Sequence, residues 1–161
     1  MLGVLLVTIV RAPVRPTGPE TVRGHRVFGR DRVERVEVTW GGRSFTARRE
    51  SGGWQIDGER AGPQAADALA DLVHALRDLR AVDVFRPRDT ATYGLKRPGG
   101  IIVVTTTHRV RRLVVGGLNA AGSALYARRE GDQRVLQIGI GLGSAVERVL
   151  YDRDRQRPEI G

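Results

Sequence analysis

The residues that could do chemistry in this chain are few, and their surroundings favour structural roles. Gly139-Ile140-Gly141-Leu142-Gly143 lies between a predicted strand and a predicted helix, where backbone N–H groups could cradle a phosphate. The dinucleotide-binding fingerprint, however, requires a βαβ unit, and the strand here belongs to a predicted antiparallel hairpin. We interpret the stretch as a strand-to-helix turn, and an anion held at the Ser144 helix is the alternative.

The histidines and the lack of cysteine give no metal-site pattern. His25, His74 and His108 have no second histidine or carboxylate at the spacing of a metal-binding motif. His74 follows Asp71 by one helical turn, so a surface hydrogen bond between these two side chains is expected. With 0 cysteines, the sequence excludes disulfides, thiolate metal sites and cysteine nucleophiles.

Serine and carboxylate side chains likewise show no catalytic arrangement. Ser144 and Glu147 have the S-x-x-E spacing of a capping box, which would satisfy free N–H groups at the start of a helix. Asp67 and Asp71 lie on the polar side of a predicted helix, where exposure gives no means of activating a general acid or base. We therefore expect no enzyme activity, no metal and no cofactor.

Arginine dominates the formal charge of +9, since Lys96 is the only lysine among 27 lysine and arginine residues. Many arginines lie next to acidic residues, and such mixed runs are typical of a solvated surface, which argues against nucleic acid as a partner. Two arginine pairs occupy equivalent positions in the two similar predicted hairpins and could form one basic face; they are Arg48, Arg49, Arg128 and Arg129. The chain could thus alternatively be a soluble binding module for an anionic polymer, either nucleic acid or an acidic glycan.

The first half of the chain predicts a hairpin, a short strand and a helix. Residues alternate between apolar and polar over Val33–Trp40 and Arg43–Arg49, and the two glycines between these strands suit a two-residue hairpin. A short third strand follows at Trp54–Ile56. Apolar residues then recur every three or four positions over residues 64–80, as in a helix that lies on a sheet.

The second half repeats this order. Its predicted elements are strands at Ile101–Thr107, Val110–Val115, Ser123–Arg129 and Arg134–Ile138, and a helix at Ser144–Asp152. The segments Phe45–Ile56 and Leu125–Ile138 also match in their letters, since each has an Ala-Arg-Arg-Glu run before a glycine turn and a strand. We predict an α+β fold of two β-β-β-α-like repeats, with antiparallel sheets each covered by a helix.

The predicted organisation begins with two segments that precede the repeats. These are an apolar segment at residues 1–11 and a Pro-rich spacer at 12–32. The first repeat then occupies 33–82, a connector 83–99, the second repeat 100–152 and a charged tail 153–161. Leu2–Val10 is short enough to be either a buried strand or part of a truncated membrane anchor.

The middle of the chain resembles a known family in several motifs. These are Trp54-Gln55-Ile56, the helix after it, the Tyr93-Gly94-Leu95 turn with Pro98, and the strands around Ile101–Thr107 and Tyr126-Ala127-Arg128. Over roughly Val33–Ile138 they resemble the bacterial domain-of-unknown-function family 4340. Lys96-Arg97 stands where that family usually has an acidic residue.

The resemblance implies a location and a kind of partner. Members of the family typically have one N-terminal membrane anchor and an extracytoplasmic repeat domain, and many are similar to proteins encoded beside gliding-type ABC transporter permeases. The resemblance therefore implies a non-catalytic accessory or protein-interaction domain on the extracytoplasmic face of the inner membrane. Its expected partners are other envelope proteins, including ABC transporter permease subunits, with the N-terminus as a membrane contact. The alternative is a cytoplasmic location.

Overall fold

The computed structural model describes Gly24 and residues 26–157. The apolar segment, most of the Pro-rich spacer, His25 and the end of the charged tail lie outside the described residues. The elements follow in the order β1 (Val33–Trp40), β2 (Arg43–Glu50), β3 (Gly53–Ile56), β4 (Glu59–Arg60), α1 (Pro63–Asp78), β5 (Ala81–Phe85), a 3-10 turn (Ala91–Tyr93), β6 (Gly100–Thr106), β7 (Val110–Leu118), β8 (Ala124–Arg129), β9 (Val135–Gly139) and α2 (Gly141–Gln156).

In the described part of the chain, nine strands form one antiparallel sheet in the order β4-β3-β2-β1-β6-β7-β8-β9-β5. The α+β class is confirmed, but the prediction of separate sheets is wrong. β1 and β6 pair along their lengths, with Val38 opposite Ile102 and Val36 opposite Val104. All four of these side chains are buried, so the pairing joins the apolar surfaces of the two halves into one core.

Both helices pack on the same face of this sheet and against each other. The largest buried side chains of the core come from this face and from the helices; they include Leu69, Leu72, Leu76, Ile102, Leu113, Ile138 and Leu150. Full burial of one such side chain stabilises the fold by about 1.5–3 kcal/mol. Neither helix in the described part of the chain has the length and apolar content needed to span a bilayer.

The local predictions for β1, β2 and α1 are confirmed. Gly41 and Gly42 form the turn of the first hairpin with φ angles of 55° and 79°, which glycine adopts without steric cost. Helix α1 begins at Pro63, where a missing N–H is harmless, and places Leu69 and Leu72 in the core.

The strand count before α1 differs from the prediction. Four strands precede α1 rather than three, because the two-residue β4 pairs with β3 before the helix begins, whereas the four strands predicted before α2 are present as β6–β9. The segment Phe45–Ile56 therefore belongs to the second and third strands of its set, whereas Leu125–Ile138 belongs to the third and fourth. The structure does not place these two similar segments in equivalent positions.

Three predicted boundaries also shift. Strand β5 crosses the boundary between the first repeat and the connector, because it leaves α1 and pairs with β9 at the sheet edge. Helix α2 continues to Gln156, into the predicted tail. Val27 and Phe28, at the end of the predicted spacer, are only 2% and 3% exposed. They lie against the core because Arg26 forms a β-bridge with Arg80 and the Val27 N–H donates to the Leu79 carbonyl, which hold this segment beside the start of β5.

Candidate functional site

The glycine-rich stretch before α2 is a packing feature. β9 ends at Gly139 and α2 begins at Gly141, with no side-chain cap at Ile140. A Cβ on Gly143 would lie 3.1 Å from Cζ2 of Trp40, so the helix approaches the indole ring closely enough to favour glycine. Packing against Trp40 therefore explains the glycine at position 143 without a bound phosphate.

The predicted capping box at the start of α2 is wrong. Ser144 lies inside the first turn of the helix and provides no cap, and Glu147 instead forms an ion pair with Arg43 of β2. The helix begins earlier than predicted because the additional turn buries Leu142, which is 3% exposed, in the core.

Histidine and carboxylate side chains form surface pairs. His74 Nε2 lies 3.3 Å from Asp78 Oδ2, so its partner is Asp78 and not the predicted Asp71. A hydrogen bond from Arg26 lowers the pKa of the Asp78 carboxyl below its usual value. Asp71 contacts Arg148 of α2 at 2.6 Å. Within the described residues, no group of three or more His, Asp or Glu side chains is placed to hold a metal ion.

The Tyr93-Gly94-Leu95 turn docks on the sheet face opposite the helices. The Tyr93 ring lies edge-on to Tyr126 at 4.8 Å and to Phe85 at 5.2 Å between centroids. Leu95 is 4% exposed. A Cβ on Gly116 of β7 would lie only 2.1 Å from the Tyr93 carbonyl oxygen, so the turn requires glycine beneath it. The motif thus attaches the connector to the sheet.

The other two motif residues, Trp54 and Pro98, also lie in positions that suggest structural roles. Trp54 packs against the edge of the core, and the Arg49 guanidinium lies 4.7 Å from the centroid of its ring. Pro98 is half-buried just before β6. Neither residue lines either of the two grooves described below.

The sheet face opposite the helices, which we call the open face, has an apolar centre. Ile101 and Val114 lie opposite each other on β6 and β7, and Val103 lies beside them; all three are half-buried. The same alternation of side chains places charged residues around this centre: Arg35, Glu37, Arg48, Arg112 and Arg128. Arg35 Nη2 lies 3.0 Å from Glu37 Oε1 and Arg48 Nε lies 3.7 Å from Glu50 Oε1, so the ion pairs of the rim leave Arg112 and Arg128 in excess.

Two shallow grooves lie at the end of the sheet where β2, β6 and β8 finish. The first groove encloses about 670 Å³ and is lined by Arg32, Glu34, Arg35, Arg48, Arg49, Glu50, Ser51 and Thr105. The second groove encloses about 610 Å³ and is lined by Arg86, Val110, Arg111, Arg112, Arg129, Glu130, Gly131, Asp132 and Arg134. The grooves adjoin, because Thr105 of the first pairs with Val110 of the second.

One carboxylate organises the second groove. Asp132 accepts hydrogen bonds from Arg134 at 2.8 Å and from Arg129 at 3.2 Å, and these bonds, those of Arg134 foremost, hold the pKa of Asp132 far below its usual value. Burial, together with the positive charges of Arg109 and Arg129, lowers the pKa of the Arg111 guanidinium. The groove is therefore a region of positive potential in which one acidic side chain is already engaged.

The four arginines predicted to form one basic face lie at the same end of the sheet but point in different directions. Successive side chains of a strand point to opposite faces, so Arg48 and Arg128 lie on the open face whereas Arg49 and Arg129 lie on the other side. Arg48 and Arg49 both line the first groove, and Arg129 lines the second. The structure therefore distributes these residues over two grooves and the open face.

Sequence reasoning missed most of the second groove. Arg111 and Arg112 interrupt the apolar pattern of β7 and could have been noticed for that reason. Arg86 and Arg134 meet in this groove because β5 pairs with β9, a contact between distant parts of the chain. No local pattern indicates it.

Comparison with known proteins identifies the family. The model of a family described as Domain of unknown function (DUF4340) matches residues 27–98 and residues 54–150, which confirms the resemblance seen in the motifs. No curated protein matches the chain, and no solved structure does. Because the two overlapping matches together span residues 27–150, most of the sequence, this protein belongs to the family Domain of unknown function (DUF4340).

Proposed function

We propose that the protein is a non-catalytic accessory domain that binds another protein through its open face. The supporting observation is the apolar centre formed by Ile101, Val103 and Val114. One face of an antiparallel sheet commonly contacts water and then carries polar side chains. Here the middle strands instead present apolar side chains inside a charged rim, which is the usual anatomy of a protein–protein interface.

The rim favours a partner with acidic residues. Arg112 and Arg128 lie at the edge of the apolar centre without a carboxylate partner among the described residues, whereas Glu37 is paired with Arg35 and Glu50 with Arg48. Opposite charges on the partner would guide the encounter and fix its orientation, and they would contribute less to affinity than the apolar centre.

We further propose that the domain acts at the extracytoplasmic face of the inner membrane, with an ABC transporter permease subunit as a candidate partner. The family resemblance and the apolar and proline-rich start of the sequence support this proposal. Protease treatment of intact spheroplasts tests it. Degradation of the domain from outside would support the location, and protection until the membrane is opened would contradict it.

Capture of partners with matched variants tests the interface. Val103→Glu places a charge at the apolar centre, whereas Val82→Glu places the same charge on the sheet edge, where Val82 is already 54% exposed. We expect proteins crosslinked to the native domain in membranes to be lost with Val103→Glu and retained with Val82→Glu, provided both variants keep the circular dichroism of the native fold. Equal recovery with both variants would refute the proposed interface.

A second candidate function, binding of an anionic polymer such as a nucleic acid or acidic glycan, is favoured by the continuity of the two grooves. Together they provide a row of arginines along one end of the sheet, which is the electrostatic footprint of a polyanion site. Titration with heparin as the probe over a range of salt concentrations separates the candidates. Binding that weakens steeply with salt would support the polymer, and no binding at low ionic strength would eliminate it.

We also propose that the chain contains two repeats, but that they align differently from the similar segments Phe45–Ile56 and Leu125–Ile138. Val36 lies opposite Ala47, and Ile102 lies opposite Leu113. The offset from Val36 to Ile102 equals the offset from Ala47 to Leu113, so the two hairpins have the same register. This equates β1–β4 and α1 with β6–β9 and α2. Aligned sequences of relatives should show their highest internal similarity at this shift, and an equal similarity at other shifts would oppose duplication.

A further inference from the structure

We propose that the second groove binds a phosphate group that carries a double negative charge, with the guanidinium groups of Arg86, Arg111 and Arg112 as its ligands. This site shares Arg112 with the charged rim of the open face, but it does not require that a protein bind there. The argument rests on the charges that line the groove, on their existing partners and on the position of Arg111.

The charge of the groove exceeds what its own acids can neutralise. Five arginines and two acidic residues line it. Asp132 is engaged by Arg129 and Arg134. The other three arginines, at positions 86, 111 and 112, form no ion pair with any carboxylate of the described residues. The groove therefore keeps an excess of positive charge that a ligand can neutralise.

The groove combines one anchored guanidinium with two exposed ones. Arg111 is half-buried and donates a hydrogen bond to the carbonyl oxygen of Val27 at 3.2 Å, which holds its side chain in place. Arg86 and Arg112 are exposed and can close on a ligand. The groove wraps around the end of β7, so side chains from both faces of the sheet line it.

Phosphate fits this arrangement better than a single carboxylate. Guanidinium groups bind both anions through two parallel hydrogen bonds. A phosphate monoester or pyrophosphate, however, brings more charge and more acceptor oxygens. The net excess of three positive charges, from five arginines against Glu130 and Asp132, therefore favours the more highly charged anion. Burial first, and then the positive charges of Arg109 and Arg129, lowers the pKa of the Arg111 guanidinium, and a bound dianion would offset those positive charges.

Calorimetric titration of the full chain with pyrophosphate tests the site. The double variant Arg86→Gln/Arg112→Gln removes two exposed ligands and leaves the core untouched. The matched control, Arg97→Gln/Arg155→Gln, removes the same charge from two exposed arginines outside the groove. We expect the Kd for pyrophosphate at low salt to rise at least about 10-fold in the groove variant and to stay within about twofold in the control.

Two sources could supply the phosphate group, and vesicles distinguish them. Binding to phosphatidic acid vesicles that is lost in the groove variant and competed by pyrophosphate would indicate a lipid headgroup. Pyrophosphate binding without vesicle binding would indicate a soluble phosphate compound. Absence of pyrophosphate binding at low salt, or an equal loss in the groove variant and the control, would overturn the proposal.

Discussion

Replacement of Gly116 by alanine tests how the family's Tyr-Gly-Leu motif is held. The new Cβ would lie 2.1 Å from the Tyr93 carbonyl oxygen and 3.2 Å from Cδ2 of Leu95. Because a carbon and an oxygen normally approach to about 3.3 Å, the turn must move by roughly 1 Å. Gly117→Ala is the matched control, since its Cβ would lie 3.9 Å from the same oxygen, at an ordinary contact distance.

The expected cost follows from the contacts that this shift weakens. Overpacking of a close contact costs about 1–3 kcal/mol, and the shift also loosens the burial of Leu95, which is worth up to about 1.5–3 kcal/mol. The edge-on contact of Tyr93 with Tyr126 adds about 0.5–1.5 kcal/mol at most. Since the turn moves without unfolding completely, we expect Gly116→Ala to lower the free energy of unfolding by about 2–3 kcal/mol. Gly117→Ala should change it by less than about 0.5 kcal/mol.

Urea unfolding and amide hydrogen exchange measure this difference. The midpoint of unfolding by circular dichroism should fall in Gly116→Ala, with a decrease in the melting temperature of roughly 4–12 °C for a domain of this size. Exchange protection should fall at residues 93–95 as well. Equal stability of the two variants, or a stability loss without faster exchange in the turn, would refute the proposed docking.

Two further predictions concern other sites. Gly100→Ala would place its Cβ 2.4 Å from Cε3 of Trp40, so we expect the free energy of unfolding to fall by about 1–3 kcal/mol and the tryptophan fluorescence to change. Gly99→Ala has open space around its Cβ and should change neither property. Equal effects of the two substitutions would contradict this contact. Asp132→Asn weakens the bonds to Arg134, and because both groups are partly solvated we expect a cost of only about 1 kcal/mol at pH 7. The folded-state pKa of Asp132 is depressed, so this contribution is present above the unfolded pKa of about 3.9 and is lost as pH falls toward the folded value. The urea midpoints of the native protein and Asp132→Asn should therefore converge in acid. A difference between the two midpoints that persists in acid would contradict the assignment.

The sequence specifies local structure well because local chemistry determines it. The two glycines at 41 and 42 set the first hairpin, and the recurring leucines of α1 define the side that faces the sheet. Alternation along β1 likewise assigns each side chain to a face, and the continuous apolar run of β6 indicates a central strand. These features depend on residues that are close together in the chain, so they can be read directly from the pattern.

The pairing of distant strands could not be predicted in this way. Alternation indicates that Val36 faces the core, and the apolar run of β6 indicates a central strand, but neither shows that β1 pairs with β6 to make one sheet. Strand β5 is not predicted for the same reason, since it pairs with β9, the last strand of the second half, which is distant in the chain. The sequence assigns Val27 and Phe28 to a spacer, because their burial depends on contacts of this segment with the distant residues Leu79 and Arg80.

The candidate site was predicted only in part for the same reason. The sequence indicated that arginines cluster near hairpin ends, and Arg48, Arg49 and Arg129 do line grooves at one end of the sheet. The prediction of one basic face is nevertheless wrong, because adjacent arginines of a strand face opposite sides. The second groove also needs the loop after β5, which the sequence placed in a connector.

Site-specific photocrosslinking in cells tests the central proposal, which is that the open face binds a protein. A photoreactive residue at Val103 would report on the apolar centre, and one at Tyr151, which is 59% exposed on α2, would report on the helical side. We predict a defined protein adduct from position 103 and none from position 151. Adducts from position 151 alone, or none from either position, would contradict the proposed interface.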